Sequence, residues 1–387
     1  MSGGRPSKCP SFLRRALDVR SILAGKDEAL RQAHATIAEQ RLRIAALKRR
    51  DPEQRDPEQR DPEPDEEFPR NAFFVTGRAR SGTTWLRSLL NAHPEILCWG
   101  EGRVFERSFE RPEYARLEGA RIPPTSLYGA LGRAEYLRYW IENSVWGMGD
   151  EPYEEHLKDL TRLAVRHFME GRLARSGARL VGDKTPYRSA EMMGEIASVL
   201  PGARVIHIIR DGRDAAVSFV HHSWNHPTSE GGVYDLTREE LSIREAYRSG
   251  SLHPPEQSIF TPERLATLAT EWSREVLRAS EEGRRLLRDD YIEVRYEDLL
   301  LQPAYETKRL LDFLGARSGD EPIARCLEKT DFQSGSDGRR PGEEDSASRF
   351  RKGIQGDWEN VFTVEDRRIF DDIAGSTLGH FGYERTP

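Results

Sequence analysis

The fold turns on residues 71–85, NAFFVTGRARSGTTW, and on the run LRSLLNAHP that follows them. Phe73, Phe74 and Val75 make an apolar stretch too short for a helix, broken at Gly77, which predicts a buried strand. A polar turn bearing two glycines comes next. Beyond Gly82, the apolar residues Trp85, Leu86, Leu89 and Leu90 take helical spacing, and Thr83 and Thr84 stand where a helix starts. Strand, tight loop and helix in that order offer successive backbone N–H groups and the positive end of a helix dipole to one anion, which is how phosphate is held.

Gly77 and Gly82 have the spacing of GxxxxGK[ST], yet Thr83 occupies the lysine position and the basic residue, Arg80, precedes the second glycine. No later strand offers a clean metal-holding acid of the kind a nucleotide hydrolase requires. The loop therefore reads as an anion cradle, with a purely structural strand-to-helix turn as the alternative. R-S-G-T-T-W resembles the 5′-phosphosulfate loop of the sulfotransferases, whose donor is 3′-phosphoadenosine 5′-phosphosulfate (PAPS).

Composition bounds the rest. The 387 residues allow one large domain or two small ones, and 37% hydrophobic residues suffice for a core. A net charge of −6 argues against a general nucleic-acid binder. Only eight of the 59 basic residues are lysine, so lysines at motif positions stand out. Cys9, Cys98 and Cys326 have no metal-ligand spacing and leave one thiol over in any pairing, which favours a reducing compartment. No apolar run is long enough for a signal peptide or a membrane span, and a soluble cytoplasmic protein is expected.

Residues 1–50 read as a helical extension. Leu23, Leu30, Ile37 and Ile44 recur every seven residues with Ala33 and Leu47 in the companion seam, but Lys26 and Gln40 interrupt that seam. Either a short coiled coil, and with it a homo-oligomer, or a solitary solvated helix fits. Three RDPEQ-type units from Arg50 to Pro64 forbid both helix and core, which makes 51–67 a stiff charged linker. The third domain is 68–387.

Within it, L-N-A-H-P-E-I followed by G-E-x-R-V is similar to the tyrosyl-protein sulfotransferases and their bacterial relatives, in which this glutamate, here Glu101, is the general base. Residues 125–176 read as helical. Of Tyr128, Tyr136, Tyr139, Trp140 and Trp146, some line an acceptor pocket or, for most, simply pack in the core. Arg179–Gly182 is a short strand leading into Asp183-Lys184-Thr185-Pro186, and the resemblance gives Lys184 to the transferring sulfuryl group or the leaving oxygen. Residues 203–210, ARVIHIIR, have the near-continuous β-branched character of a buried parallel strand. They open R-D-G-R-D-A-A-V-S, which looks like the 3′-phosphate motif of the same family. The resemblance assigns that phosphate to Arg210 and Ser218, and leaves Asp211, Arg213 and Asp214 to ion pairs that shape the loop.

His221, His222 and His226 match no trusted metal-ligand spacing and read as a solvated helix end. The segment 228–262 is polar and broken, a lid or acceptor-side loop. Pro262–Leu287 is a long amphipathic helix and Tyr291–Tyr296 a strand. FRKGIQGDW, residues 350–358, is similar to the C-terminal family motif whose basic pair and glycine clamp the 3′-phosphate.

The resemblance spans Phe73 to Trp358 and implies an α/β fold, a P-loop-like parallel sheet flanked by helices, with the donor at the carboxyl ends of the strands. It implies sulfuryl transfer from PAPS to an acceptor hydroxyl on a small metabolite, glycan or tyrosyl peptide. Glu101, Arg80 and Lys184 would be catalytic. Arg78, Arg80, Ser81, Gly82, Thr83, Thr84, Trp85, Arg210, Ser218, Tyr296, Arg351, Lys352 and Gly353 would bind the donor, with Trp85 and Tyr296 near the adenine. No metal is expected, since fixed cations balance the donor's charge. A small-molecule kinase, or a non-catalytic interaction protein built on the N-terminal arm, are the rival classes.

Overall fold

The computed structural model describes residues 67–108, 125–147, 151–186, 189–226, 234–331, 338–340, 342–345 and 352–384. The predicted extension 1–50 and the repeat linker as far as residue 66 lie outside the described residues, as does Arg351. The elements begin with α1 (Glu67–Asn71), β1 (Ala72–Thr76), α2 (Thr83–Asn91) and β2 (Ile96–Gly100). A helical insertion follows: α3 (Leu127–Gly132), α4 (Glu135–Asn143) and α5 (Tyr153–Leu173). Then come β3 (Leu180–Lys184), α6 (Ser189–Val199), β4 (Arg204–Ile209), α7 (Gly212–Asn225), α8 (Arg238–Arg248) and α9 (Pro262–Leu287). The chain closes with β5 (Tyr291–Arg295), α10 (Tyr296–Leu301), α11 (Pro303–Leu314), α12 (Asp320–Lys329) and α13 (Val364–His380).

The strands form one parallel sheet in the order β2-β3-β1-β4-β5. All five residues of β1 are buried, as a central parallel strand demands, and alternate residues serve opposite faces. Phe73 and Val75 join Ile206 and Ile208 of β4 under α2 and α11. Ala72, Phe74 and Val205 pack with α5, α6 and the distal part of α9. Edge strand β5, YIEVR, is largely half-buried and correspondingly polar. The crossovers bring the carboxyl ends of all five strands to one side of the sheet, where a doubly wound fold places its ligands.

The amphipathic helix expected at 262–287 is α9, entered through Pro262 with the Thr261 side chain accepting from the Arg264 N–H. Four expectations need correction. The segment 228–262, read as a broken loop, contains α8, because Thr237 and Glu240 form a reciprocal capping box and buried Glu240 pairs with Arg264. Of Tyr128, Tyr136, Tyr139, Trp140 and Trp146, expected mostly in the core, only Tyr128 is buried; Tyr136 is 90% and Trp146 86% exposed, with Tyr139 and Trp140 also outward. His221 is not solvated: it is buried against Trp224 and Tyr247, while His226 is exposed. The expected strand at 291–296 ends one residue early, with Tyr296 opening α10. Among the described residues no helix is long and apolar enough to cross a membrane.

Candidate active site

The loop between β1 and α2 takes left-handed backbone at Arg80 (φ 74°) and Gly82 (φ 92°). A Cβ at Gly82 would lie 2.5 Å from the Tyr296 ring, so both the conformation and the close approach call for glycine there. The first intrahelical bond of α2 runs from the Leu86 N–H to the Gly82 carbonyl, 3.0 Å, which leaves the N–H groups of Thr83, Thr84 and Trp85 ahead of the ladder. Among the described residues no side chain caps this end, and the buried Ser81 hydroxyl has no hydrogen-bond partner. A buried, unpaired donor beside a helix N-terminus is a fitting receiver for an anion.

Three remote segments meet here. The Arg80 Nε donates to Ser218 Oγ of α7 at 3.1 Å. Arg210, at the end of β4, donates from Nη1 to the Arg80 carbonyl and from Nη2 to the Ile354 carbonyl, both at 3.2 Å, while its buried Nε has no partner among the described residues. Its guanidinium lies 4.5 Å from the Tyr296 ring centroid, and Tyr296 meets Trp85 edge-on at 5.5 Å. The Asp214 carboxylate accepts from the Gly356 and Trp358 N–H groups, at 2.8 and 3.0 Å, and so fastens the 352–358 loop to the start of α7. Arg213 pairs with Asp211 at 2.7 Å and lies over the Trp358 ring, the shaping role expected of these residues. Lys352 reaches Asp357 at 2.8 Å, and Gly353 has φ 65°.

Arg78 departs from this convergence. Its Nη1 and Nη2 are held by Glu275 and Glu271 of α9, at 3.0 and 2.9 Å, so it forms a strut from loop to helix. Arg87 was missed by sequence reasoning. It projects from α2 so that a Cβ at Gly100 would lie 2.8 Å from its Nη1, which puts a further cation beside the end of β2. Its position four residues after Thr83 on the helix was the available signal.

The second half of the site sits at the ends of β2 and β3. Val75 of β1 is paired with Lys184, and the Thr185 N–H donates to the Val75 carbonyl at 3.0 Å, so β3 delivers its lysine beside the strand that opens the phosphate loop. The Lys184 Nζ donates to Glu101 Oε1 at 2.8 Å; the lysine is 4% exposed and the glutamate 31%. Glu101 thus combines a charged partner with an open side. Asp183, the residue before Lys184 on β3, accepts from the Gly102 N–H at 2.8 Å and the Thr185 hydroxyl at 2.6 Å. Burial pushes this carboxyl above its ordinary range, with those two hydrogen bonds opposing the shift. His207 lies inside the sheet, with Nδ1 2.8 Å from the Tyr291 hydroxyl.

The model of the family described as Sulfotransferase domain matches residues 70–382. A putative protein-tyrosine sulfotransferase of Caenorhabditis briggsae is 24% identical over 320 residues, covering 79% of this chain and 88% of that protein. Sulfotransferase 2A2 of Mus musculus is 29% identical over a shorter stretch of 109 residues, 25% of this chain and 38% of that protein. Among solved structures, mouse sulfotransferase SULT7A1 complexed with PAP covers 80% of this chain and 84% of its own, at 17% identity and a TM-score of 0.45. With the family match running from the residues before β1 to the end of α13, the chain belongs to the sulfotransferase family and is a transferase enzyme.

Proposed function

We propose that the protein transfers a sulfuryl group from PAPS to an acceptor hydroxyl by in-line displacement, with Glu101 as general base. The observation that carries this reading is the convergence of the phosphate loop, the β4–α7 junction and the 352–358 loop around two buried, unpaired groups, Ser81 Oγ and Arg210 Nε. The residues present fit the donor. The N–H groups of Thr83, Thr84 and Trp85, with the Ser81 hydroxyl, receive the 5′-phosphate. Arg210, Ser218, Lys352 and the Gly353 backbone serve the 3′-phosphate, with Arg351 as a sequence-based addition. Trp85 and Tyr296 flank the adenine.

When bound, the donor supplies an activated sulfuryl group. Glu101 takes the acceptor proton, while Lys184 and Arg80 act as fixed cations for the charge that gathers on the sulfonate and the departing phosphate oxygen. Arg87 adds positive charge on the Glu101 side. The acceptor class is a hydroxylated metabolite, a glycan or a tyrosyl peptide. The name of the nematode relative places a tyrosyl peptide among the first to try. A cytoplasmic location, and oligomerisation through the helix expected in residues 1–50, belong to the same proposal.

The test is to incubate the protein with PAPS carrying labelled sulfate and an extract of its own host. Label should pass to a hydroxylated acceptor in step with formation of 3′-phosphoadenosine 5′-phosphate (PAP), without added magnesium. Magnesium-dependent phosphoryl transfer from ATP, with no label moved, would return the kinase reading.

A further inference from the structure

The loop that bears Glu101 is held in an unusual shape. Glu101, Arg103 and Glu106, none of them glycine, all have left-handed backbone, with φ of 61°, 53° and 77°. Such residues persist only where their surroundings over-determine them. At the far end of the loop the Glu195 carboxylate accepts from the N–H groups of Glu106 and Arg107. At the near end two consecutive residues of β3 do the holding. The Glu101 N–H donates to the Lys184 carbonyl at 2.6 Å, and the next N–H, that of Gly102, donates to Asp183 Oδ1 at 2.8 Å. The peptide groups on both sides of the Glu101 Cα are therefore pinned, which fixes its φ and ψ and the direction of its side chain.

Asp183 is suited to this. It is 4% exposed, its backbone is locked between Phe74 of β1 and Trp99 of β2, and its second oxygen is taken by the Thr185 hydroxyl. Neither carboxylate oxygen is placed on Lys184 or Glu101; the nearest donors are a backbone amide and a hydroxyl. We propose that Asp183 is a positioning residue for sulfuryl transfer: by holding the Gly102 N–H it keeps Glu101 in its left-handed conformation, with its carboxylate on Lys184 and its open side toward the acceptor. This rests on Glu101 being the base.

Because Asp183 acts through Glu101, the test is a double-mutant cycle read in kcat for labelled-sulfate transfer, with PAP affinity followed by calorimetry. Misplacing a reacting group by about 1 Å costs on the order of 10²-fold, so Asp183→Ala should lower kcat by roughly 10- to 100-fold while PAP affinity stays within about twofold. Asp183→Asn keeps a carbonyl oxygen for Gly102 and an amide for the Thr185 oxygen, and should retain kcat within about threefold. Gly102→Ala attacks the same contact from the exposed side, since its Cβ would lie 2.7 Å from Asp183 Oδ1, and should mimic Asp183→Ala. In a Glu101→Gln background, Asp183→Ala should add less than about threefold.

Unchanged kcat in both Asp183→Ala and Gly102→Ala overturns the proposal. So does full multiplication of the losses in the Glu101→Gln background, or an Asn variant as slow as the Ala variant. If Asp183→Ala fails to fold, seen as lost PAP binding, the Asn and Gly102 variants decide. A Glu101→Gln enzyme of near wild-type turnover removes the base reading, and this proposal with it, before Asp183 is touched.

Discussion

Around β1 and β4, the polar groups of the site come from backbone and from side chains fixed in a buried frame: loop N–H groups, the Ser81 hydroxyl, and Arg210 tied to two carbonyls. Around β2 and β3 the Lys184–Glu101 ion pair stands at the edge of a strained loop, and the helices beyond it turn aromatic side chains to solvent. The first arrangement suits a ligand whose phosphates never vary. The second leaves shape and chemistry open, which suits the acceptor in the proposed transfer. The contrast explains why the donor follows from the molecule more readily than the acceptor.

The largest expected effect separates the two sides at the point where they meet. Glu101→Gln keeps shape and hydrogen bonding but cannot take a proton, and kcat should fall by ~10²–10⁴-fold with PAP affinity nearly unchanged. Lys184→Ala should lower kcat as well, but with weaker PAP binding, because a cation in the ground state also holds the donor. Steady-state kinetics and calorimetry on the same preparations distinguish the pair. If both variants weaken PAP equally, Glu101 belongs to the donor side and the division drawn above breaks.

A second effect, on stability, probes the buried sheet beneath the donor side. Burial pushes the His207 imidazole down to about 4, whereas the unfolded chain protonates near the ordinary 6.5. The folded state thus resists a proton that the unfolded state accepts, and stability present above pH 6.5 is lost as pH falls toward 4. The full window corresponds to about 3 kcal/mol. Denaturant midpoints at pH 7 and pH 5 should differ less in His207→Gln than in the wild type. An equal slope would mean that His207 takes up its proton in the folded protein.

The smallest effect is expected at the exposed aromatics of α4. Tyr136→Ser and Trp140→Ser, at exposed positions of α4, should leave the unfolding free energy within about 0.5 kcal/mol. A larger loss in thermal or denaturant unfolding would mean that these rings are packed, as the core reading of the sequence had it, and the contrast between the two sides would soften.

Legibility followed the same division. The phosphate loop and the β4–α7 motif are local patterns, in which strand, turn and helix signals lie within a dozen residues, and both fold as read. The core strands follow from their β-branched runs for the same reason. What the sequence left unread depends on partners far along the chain. Arg78 looks like a loop cation until Glu271 and Glu275, nearly two hundred residues later, claim its guanidinium. Asp183 looks like a neighbour of the important lysine, and its contact with Gly102 crosses 81 residues. The aromatics of α4 have a spacing that serves a buried and an exposed face equally well, and only the packing of Ile141 on the other side decides which they are. His221 is buried because Trp224 and Tyr247, from α7 and α8, close over it, and α8 lies in a segment whose polar, broken sequence predicts a loop.

The central claim, that the buried convergence is a receiver for the 3′-phosphate of PAPS, is tested most directly by calorimetry with PAP and with adenosine 5′-phosphosulfate, in the wild type and in Arg210→Ala. The account predicts that PAP binding weakens by about 1–3 kcal/mol in the variant, the range for a hydrogen bond lost to a charged group, while adenosine 5′-phosphosulfate, lacking the 3′-phosphate, is indifferent to the change. Equal losses for the two ligands would contradict it.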